Sequence, residues 1–381
     1  MANIVAVLWH LNTYTSASTP KTLIENQLYS DIKNDLTFNT NFYNWCAVNS
    51  LTPQDGFDEL VNVRFEKRNQ RNPFTNLNSA QRLNELETAV ATARKWASET
   101  VGTPDLVFVA PEYLFAKDGY RHLLDAGEID TIKARLKSIS KNNPQTLMFP
   151  GTIAFRQSMN NRSVKSRVQL FEDMNFWKKN ETGFKADWVD EQNKNKIAKI
   201  AMRGPNFEIA QNKSFAFLNG RQLLDYTKRG DFHEVTAQDD TGQEAYVPGT
   251  SSGTLQAFGK SFGTEICLDH NMGYASTAGK QPDIHVIMSA AVKPDAANEN
   301  TVGKTPNKVG FVIHASCEKD FTSAVKWNGG VRTVLNPSWE SSTGFQGSLL
   351  GYKLSFSSAT QNMGPTGPAG NVKDMIAKFS P

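Results

Sequence analysis

Cysteine is scarce in this chain, and neither sign of charge dominates. The 381 residues include 3 cysteines, Cys46, Cys267 and Cys317, which form no Cys-x-x-Cys pair and no Cys/His metal spacing. They are too few for a disulfide framework, which favours a reducing, cytosolic setting. The formal net charge of +3 gives no reason to expect a nucleic acid or a membrane surface as a partner.

Long hydrophobic runs and targeting features are also missing. No apolar run approaches the roughly 18 residues that span a bilayer. The segment Met1–Asn12 has neither the basic region nor the cleavage site of a signal peptide. With 39% hydrophobic and 21% charged residues, the composition is that of a globular protein, which we expect to be cytoplasmic. The length of 381 residues fits one large α/β domain or two ordinary ones.

Short apolar runs alternate with amphipathic segments along the first part of the chain. Ile4–Leu8 and Asp105–Ala110 predict buried strands. Between them, a helix is expected over Ser79–Ser98, with Ser79 as its N-cap. A second helix around Ile129–Ile139 and a strand over Thr146–Ile153 repeat the pattern. Such alternation indicates helices packed on a sheet.

The second half of the chain is richer in predicted strands. Asn219-Gly220 joins the apolar runs Ser214–Leu218 and Gln222–Tyr226, which is a strong hairpin signal. Four further apolar runs also predict strands: Thr254–Phe258, Ser261–Cys267, Ile284–Met288 and Val309–Ala315.

Polar stretches separate or follow these elements. Residues 12–78 and 157–206 are predicted to be two sizeable insertions, the first of them partly helical. The basic bias of the second insertion is typical of a solvated face. We expect a main domain over residues 1–345 and a C-terminal extension over residues 346–381, where Ser, Gly, Thr and Pro are frequent.

Three predicted strands end in polar residues: Glu112, Lys228 and Cys267. Catalytic groups often lie at such places, because a rigid strand gives way there to a loop that opens to solvent. Taken singly, each signal is weak. A Glu in this position is usually solvated, a Lys is usually a surface charge, and a Cys is usually a small buried hydrophobe.

Together the three residue types make chemical sense. A thiol attacks a carbonyl or nitrile carbon only as thiolate or with a base that removes its proton, and a carboxylate can be that base. The carboxylate can then pass the proton to the departing amine. A fixed ammonium stabilises the oxyanion of the tetrahedral intermediate. This chemistry needs no metal and no organic cofactor.

The sequence around these residues resembles the nitrilase, or carbon–nitrogen hydrolase, superfamily over roughly Asp105–Ala315. Its first block, a hydrophobic strand ending in Pro-Glu, matches VFVAPEYLF with Glu112. The strand, Gly turn, strand and Lys of the second block match FAFLNGRQLLDYTKR with Lys228. The third block, Gly-x-x-Ile-Cys-x-Asp, matches GTEICLDH with Cys267, and Pro248-Gly249 fits the Pro-Gly that usually precedes it.

The resemblance implies an α/β fold, a four-layer α-β-β-α sandwich with two facing sheets and helices outside. It also implies a homodimer or larger assembly, a small-molecule amide-type substrate and a Glu-Lys-Cys triad. A second Glu after the Lys positions catalytic groups in many members of the family. Glu234 falls at a suitable place for it, with Glu244 as the fallback. The backbone N–H of Leu268 would join the Lys in holding the oxyanion, and Tyr113 is a further candidate for a substrate or oxyanion contact.

The expected reaction is hydrolysis of an amide to an acid and ammonia or an amine, in the amidase and carbamoylase branch. True nitrilases usually have Cys-Trp-Glu at the nucleophile, whereas this chain has Cys267-Leu268-Asp269. Nitrile hydrolysis and acyl transfer to another acceptor remain alternatives on the same triad. Outside the family pattern, the alternatives are a non-catalytic binding module and a Cys-His hydrolase that uses His270 or His233 as its base.

Three further residues could take part in the site or support it. Cys317 follows a similar strand and is the rival nucleophile, but it lacks the flanking motif. Glu265 would share a strand face with Cys267 if the strand is regular, and it is either a pocket residue or faces a polar cavity. Asp269 is expected to brace the loop after the nucleophile by accepting backbone N–H bonds.

Overall fold

The computed structural model describes most of the chain, in two units. The described residues are 4–13, 21–69, 74, 77–102, 104–116, 123–158, 208–229, 244–246, 249, 251–277, 281–290 and 292–357. The described residues between 15 and 72 form a small unit, and those between 1 and 14 and between 73 and 358 form a large one. The expected insertion at 157–206 lies outside the described residues, apart from its first two positions.

Three helices make up the described part of the small unit: α1 (Lys21–Asn34), α2 (Leu36–Val48) and α3 (Pro53–Asn69). Asp35 begins α2 as its N-cap, because its Oδ1 accepts the backbone N–H groups of Thr37 and Phe38. The helices pack around one another through six buried side chains: Ile24, Leu28, Phe42, Cys46, Leu60 and Val61. The partly helical character expected between residues 12 and 78 is therefore confirmed, and Cys46 is a buried core residue.

In the part of the large unit that the structure describes, there are two sheets and four further helices. Its helices are α4 (Ser79–Val101), α5 (Gly127–Asn142), α6 (Leu268–Asn271) and α7 (Tyr274–Thr277). Its strands are β1 (Ile4–His10), β2 (Asp105–Val109), β3 (Leu124–Asp125), β4 (Thr146–Phe149), β5 (Thr152–Ser158), β6 (Glu208–Leu218), β7 (Arg221–Thr227), β8 (Glu244–Tyr246), β9 (Thr254–Ala257), β10 (Lys260–Ile266), β11 (Ile284–Ser289), β12 (Val309–Ser316), β13 (Ser323–Asn328), β14 (Val331–Leu335), β15 (Trp339–Ser341) and β16 (Ser348–Leu354).

Both sheets are mixed. The larger sheet has 10 strands in the order β15-β16-β1-β2-β4-β6-β5-β3, and β7 and β8 also pair with β6. The smaller sheet has 6 strands in the order β14-β13-β12-β11-β10-β9. Strands β1, β2 and β4 run parallel to one another, as do β10, β11 and β12. The α/β class predicted from the alternating pattern is confirmed.

Side chains alternate between two cores along the central strands. On β1, Ile4, Ala6 and Leu8 belong to a buried cluster that also contains Phe262 and Ile266 of the smaller sheet. The two sheets therefore face each other across an apolar layer. The opposite face of β1 packs with α4 and α5 in a second cluster. Over the residues that the structure describes, the outer face of the smaller sheet carries only α6, α7 and short 3-10 turns, not a layer of long helices.

Two predictions from local sequence signals, a hairpin turn and a helix N-cap, can be compared with the structure. Asn219 and Gly220 join β6 to β7 with φ angles of 52° and 77°, the left-handed conformation that a two-residue hairpin turn requires, so the predicted hairpin is confirmed. The N-cap predicted at Ser79 was wrong by one residue. Asn78 is the cap, since its side chain accepts the Gln81 N–H while the Gln81 side chain accepts the N–H of Asn78.

The main domain was expected to end at residue 345, but the next strand, β16, belongs to its larger sheet. Strand β16 pairs antiparallel with β1 along its whole length, from Ile4 opposite Leu354 to His10 opposite Ser348. The frequency of Ser, Gly, Thr and Pro after residue 345 made the segment resemble an extension in the sequence, and Gly351 lies at its centre. The glycine is there because the ring of Trp96 occupies the space where a side chain would lie. None of the described helices is long and apolar enough to cross a membrane.

Gly351→Ala should destabilise the large unit. A Cβ at this position would lie 2.5 Å from the Trp96 ring, which is itself stacked on Trp339 with ring centroids 4.8 Å apart. Overpacking of this kind typically costs about 1–3 kcal/mol, measurable by urea unfolding. The control is Gly127→Ala at the start of α5, where nothing lies within 4 Å and no loss is expected. Equal losses in both variants would contradict the packing explanation.

Candidate functional site

The three strand ends singled out by the sequence meet between the two sheets. Glu112 follows β2 and Lys228 follows β7 in the larger sheet, whereas Cys267 follows β10 in the smaller one. Their exposed fractions are 0%, 1% and 9%, so two charged side chains and a thiol are removed from bulk water together. Burial of charge on this scale is unfavourable unless each charged group has its partners.

The Glu112 carboxylate has a partner on every side. Its Oε1 accepts hydrogen bonds from Lys228 Nζ and Asn212 Nδ2, both at 2.9 Å. Its Oε2 accepts the backbone N–H of Ala290 at 3.1 Å. The thiol of Cys267 hydrogen-bonds to the same carboxylate and also lies against the Ala290 N–H. A carboxylate, an ammonium and a thiol thus form one connected buried group.

The backbone of Cys267 leaves the regular strand conformation. Its φ of 52° and ψ of −118° lie outside the regions that a non-glycine residue usually adopts, a strain of about 1–3 kcal/mol. The residue is held on both sides, because its N–H donates to Met288 O at 2.8 Å and its carbonyl accepts His270 N–H at 2.9 Å. This bend breaks the alternation of β10, so Glu265 does not share a face with the thiol as a regular strand would require.

The pKa of the Cys267 thiol is raised well above its ordinary value. Burial is the largest cause, and the negative charge of Glu112 adds to it, while the ammonium of Lys228 acts in the opposite direction. The thiol is therefore protonated near neutral pH. A nucleophilic role requires a base beside it, and the Glu112 carboxylate is already in contact.

Close backbone packing holds Lys228 in place. Its N–H donates to Asn212 O at 2.8 Å, and its carbonyl accepts the N–H of Gly249 at 3.1 Å. A Cβ on Gly249 would lie 2.1 Å from the carbonyl oxygen of Thr227, so only glycine permits this approach. The neighbouring Pro248 of the predicted Pro-Gly pair lies outside the described residues.

A second glycine permits the approach that places Glu112. Gly151 lies between β4 and β5 with φ at 72°, and a Cβ on it would lie 2.2 Å from the carbonyl oxygen of Pro111. This positive φ and tight contact divide the single strand predicted over Thr146–Ile153 into two. On the other side of Glu112, the N–H of Tyr113 donates to Thr152 Oγ1 at 2.9 Å. That N–H is thus already engaged, and a substrate contact by the Tyr113 side chain stays a prediction.

Asp269 links the segment of the thiol to the segment of the lysine. Its fully buried carboxylate accepts the Tyr226 hydroxyl at 2.9 Å, and its Oδ2 also accepts the Arg229 backbone N–H at 2.9 Å. These two partners flank Lys228 in the chain. The expectation that Asp269 accepts backbone N–H bonds is confirmed, and the segment it braces is the one that carries Lys228.

Glu265 forms a separate buried group with two histidines. Its Oε2 accepts His270 Nδ1–H at 3.1 Å and lies 2.9 Å from His285 Nε2. The second contact is short, but its ring N–H is not aligned with the oxygen, so we describe it as electrostatic. Burial by itself raises the pKa of Glu265, yet the two histidines outweigh burial and hold this pKa at about 2. Of the two earlier interpretations of Glu265, the structure supports the enclosed polar one.

These three side chains have the composition of a metal site, since their ligand atoms lie within 4.8 Å of one another. Their hydrogen bonds do not suit a metal ion. The outer nitrogens, His270 Nε2 and His285 Nδ1, accept backbone N–H groups from Asp295 and Asn300 at 3.1 and 3.2 Å. Each ring must therefore carry its proton on the nitrogen that faces Glu265, where a metal would need a lone pair.

Cys317, the rival nucleophile, approaches Glu112 from the backbone side. Its Sγ lies 2.9 Å from Thr13 Oγ1 and 3.8 Å from the Glu112 carbonyl oxygen, to which the Thr13 hydroxyl also donates. Burial raises the pKa of Cys317 to about 12, with hydrogen bonds from Thr13 opposing the rise. This thiol contacts no carboxylate or ammonium through the bonds described here, and its contacts are those of a packed core residue.

Several predicted residues fall elsewhere. Glu234 and His233 lie outside the described residues, and only the backbone of Glu244 is described, in β8. Leu268 directly follows Cys267 and is half-buried, and the role of its N–H as an oxyanion donor stays a prediction. Sequence reasoning missed Asn212 and the Ala290 N–H, the two neutral donors to Glu112. The one available signal for the first was an amide in the middle of a strand.

Charge-changing variants should shift the pH at which Cys267 is alkylated by iodoacetamide, in opposite directions. Glu112→Gln removes the charge that raises the thiol pKa, so the midpoint should fall. Lys228→Met removes the opposing charge, so the midpoint should rise. Mass spectrometry of the peptide with Cys267 gives the rate at each pH. The control is Lys213→Met, at a partly exposed lysine paired with Asp225.

The same experiment tests whether the three groups are in contact. If the two charge changes moved the midpoint in the same direction, or no more than the Lys213→Met control, then Glu112 and Lys228 would not set the pKa of this thiol.

Similarity to known proteins is found among solved structures, and it is weak. The sequence matches no family model, and no curated protein is significantly similar to it. Among solved structures, a branch 10 member of the nitrilase superfamily from Saccharomyces cerevisiae is 12% identical, with 93% of this chain and 90% of that chain covered and a TM-score of 0.42. An amidase from Nesterenkonia sp. is 16% identical, with 73% and 85% covered and a TM-score of 0.37. A CN-hydrolase superfamily protein of Xanthomonas campestris is 11% identical, with 73% and 85% covered and a TM-score of 0.38. These proteins belong to the superfamily that the sequence motifs indicate, and at such TM-scores the function must be argued from the site itself.

Proposed function

We propose that this protein is a thiol hydrolase of the nitrilase superfamily that cleaves the carbon–nitrogen bond of a small amide-type molecule. The observation that carries the proposal is the buried contact of one carboxylate with both an ammonium and a thiol. Glu112 meets Lys228 at 2.9 Å and hydrogen-bonds to Cys267. The three motifs in the sequence supply the same three residues in the same chain order.

Cys267 is the nucleophile and Glu112 is the general base in this proposal. As Sγ attacks the amide carbon, its proton moves to the carboxylate and the carbonyl oxygen becomes an oxyanion. The protonated Glu112 then gives the same proton to the departing nitrogen, which leaves as neutral ammonia or amine. A thioester remains on Cys267. Water, deprotonated by Glu112, hydrolyses it to the carboxylic acid and regenerates the thiol.

Charge balance favours this assignment. At rest the buried site holds one negative carboxylate and one positive ammonium, with a neutral thiol. Moving the thiol proton to Glu112 produces a thiolate beside Lys228, so the net charge of the buried group does not change. In a region of low dielectric constant, exchange of one ion pair for another is far less costly than creation of a new isolated charge.

Lys228 and the N–H of Leu268 are proposed to hold the oxyanion. The ammonium is fixed by Glu112, and its segment is fixed by Gly249 and Asp269, so it needs little rearrangement during the reaction. The sequence Cys267-Leu268-Asp269 favours an amide over a nitrile as substrate, as argued above. The Cys-His alternative with His270 as the base is disfavoured by the geometry, because both ring nitrogens of His270 are already bonded to Glu265 and Asp295. His233, the other candidate base, lies outside the described residues.

The proposal predicts that hydrolysis depends on one of the two buried thiols near Glu112. Ammonia release from primary amides, N-carbamoyl amino acids and nitriles would be measured for the wild type, Cys267→Ala and Cys317→Ala. We expect turnover to vanish in Cys267→Ala and to persist in Cys317→Ala. Lys228→Met should lower kcat by about 10²–10³-fold, the usual effect of removing one oxyanion donor.

Hydroxylamine added to the same reactions would separate hydrolysis from acyl transfer, because it intercepts a thioester and yields a hydroxamate. Turnover that persists in Cys267→Ala would contradict the proposed mechanism. If every compound of the panel failed, and the alkylation of Cys267 responded to neither Glu112→Gln nor Lys228→Met, the non-catalytic alternative would be favoured.

A further inference from the structure

The buried group of Glu265, His270 and His285 takes no part in the reaction proposed above. Its carboxylate nevertheless belongs to the residue two positions before Cys267 in the chain. All three side chains are at most 1% exposed. The group lies on the opposite face of the smaller sheet from the apolar layer that holds Phe262 and Ile266. Its role therefore has to be found in the segments that it joins.

Glu265 joins two stretches of irregular chain. Through His270 and the N–H of Ala275, it holds α6 and α7, the segment that directly follows the nucleophile. Through both histidine rings, it also reaches the Asp295 and Asn300 N–H groups in the loop after β11. The second stretch is also held to β13 and β14, because Glu299 accepts hydrogen bonds from Trp327 and Arg332. Glu265, by contrast, is a carboxylate that reaches both stretches.

Each of these stretches begins beside a backbone N–H group that the proposed mechanism uses. The first begins with Leu268, whose N–H is the proposed oxyanion donor. The second follows Ala290, whose N–H donates to Glu112 and faces the Cys267 thiol. A displacement of either stretch would therefore move a donor of the site, while the Glu112–Lys228 pair would stay in place on the larger sheet.

The hydrogen bonds define a single arrangement of the group. Since each outer ring nitrogen accepts a backbone N–H, both inner N–H groups must face Glu265, and neither ring can flip without leaving a buried backbone donor unpaired. A buried charge is a poor source of stability compared with apolar packing, but a buried polar network whose members hold one another in place can specify one geometry.

We propose that Glu265, acting through His270 and His285, is a positioning residue that holds the Leu268 and Ala290 N–H groups in register with the Cys267 thiol. This inference rests on the proposed function. It assigns to the group a geometric role in oxyanion stabilisation, distinct from the proton transfer between Cys267 and Glu112.

The test compares two reactions of the same thiol in the full-length protein. Amide hydrolysis passes through an oxyanion, whereas alkylation by iodoacetamide does not. In Glu265→Gln, which keeps the shape but removes the charge, we expect kcat for the best amide to fall about 10–10²-fold, as is typical when supporting groups of a site are lost. The KM should stay within about twofold of the wild-type value. The alkylation rate of Cys267 should fall by much less than kcat, because alkylation passes through no oxyanion.

A matched pair at position 270 keeps the test valid if Glu265→Gln folds poorly. The side-chain N–H of Asn takes the place of the histidine Nδ1–H, so His270→Asn should recover most of the kcat that His270→Leu loses. Urea unfolding of both variants checks that they are folded to the same extent.

Three results would overturn the inference while leaving the proposed function intact. They are an unchanged kcat in Glu265→Gln, an equal fall of kcat and alkylation rate, and equal kcat values for His270→Asn and His270→Leu. A wild-type kcat lost on dialysis against EDTA and restored by Zn²⁺ would replace positioning by metal binding. If wild-type turnover survived Cys267→Ala, the proposed function itself would fail, and this inference would fail with it.

Discussion

The contact between the Glu112 carboxylate and the Lys228 ammonium is the constraint on which the rest of the site depends. Two opposite charges at 2.9 Å, both almost fully buried, are tolerable only when every remaining lone pair and proton has a partner. Asn212 and Ala290 supply those partners for the carboxylate. The glycines at 151 and 249 permit the close backbone approaches that bring these groups together. A thiol placed against this pair then has a base and an electrostatic partner at once.

Two further buried carboxylates hold the surroundings of the thiol from different sides. Asp269 ties the residue after Lys228 to the turn after Cys267, and so fixes the distance between two sheets at the site. Glu265 faces the opposite side of the smaller sheet and fixes the chain that leaves the nucleophile. The pattern Glu-Ile-Cys-Leu-Asp therefore places a reactive group between two acidic anchors, and the strained backbone of Cys267 is the point at which the chain changes from one side to the other.

The sequence was sufficient where short-range rules apply. Apolar runs predicted the central strands, Asn219-Gly220 predicted the hairpin, and three motifs selected Glu112, Lys228 and Cys267, which do meet. It failed where partners are remote. The neutral donors to Glu112 come from other strands, and the histidine partners of Glu265 are recognisable only once β10 and β11 are paired. Strand β16 was missed because its glycine serves the ring of Trp96, a contact that no local pattern encodes.

The pairing of β1 with β16 has a consequence for how the protein is made. The Trp9 indole N–H donates to the carbonyl oxygen of Gln346, 337 residues further along the chain. During synthesis, β1 leaves the ribosome long before this neighbour exists. Its other neighbour, β2, follows only after four helices, the first three of which form a core of their own. An apolar strand that waits so long exposes an unpaired edge, so the nascent chain should depend on chaperones until β16 is released.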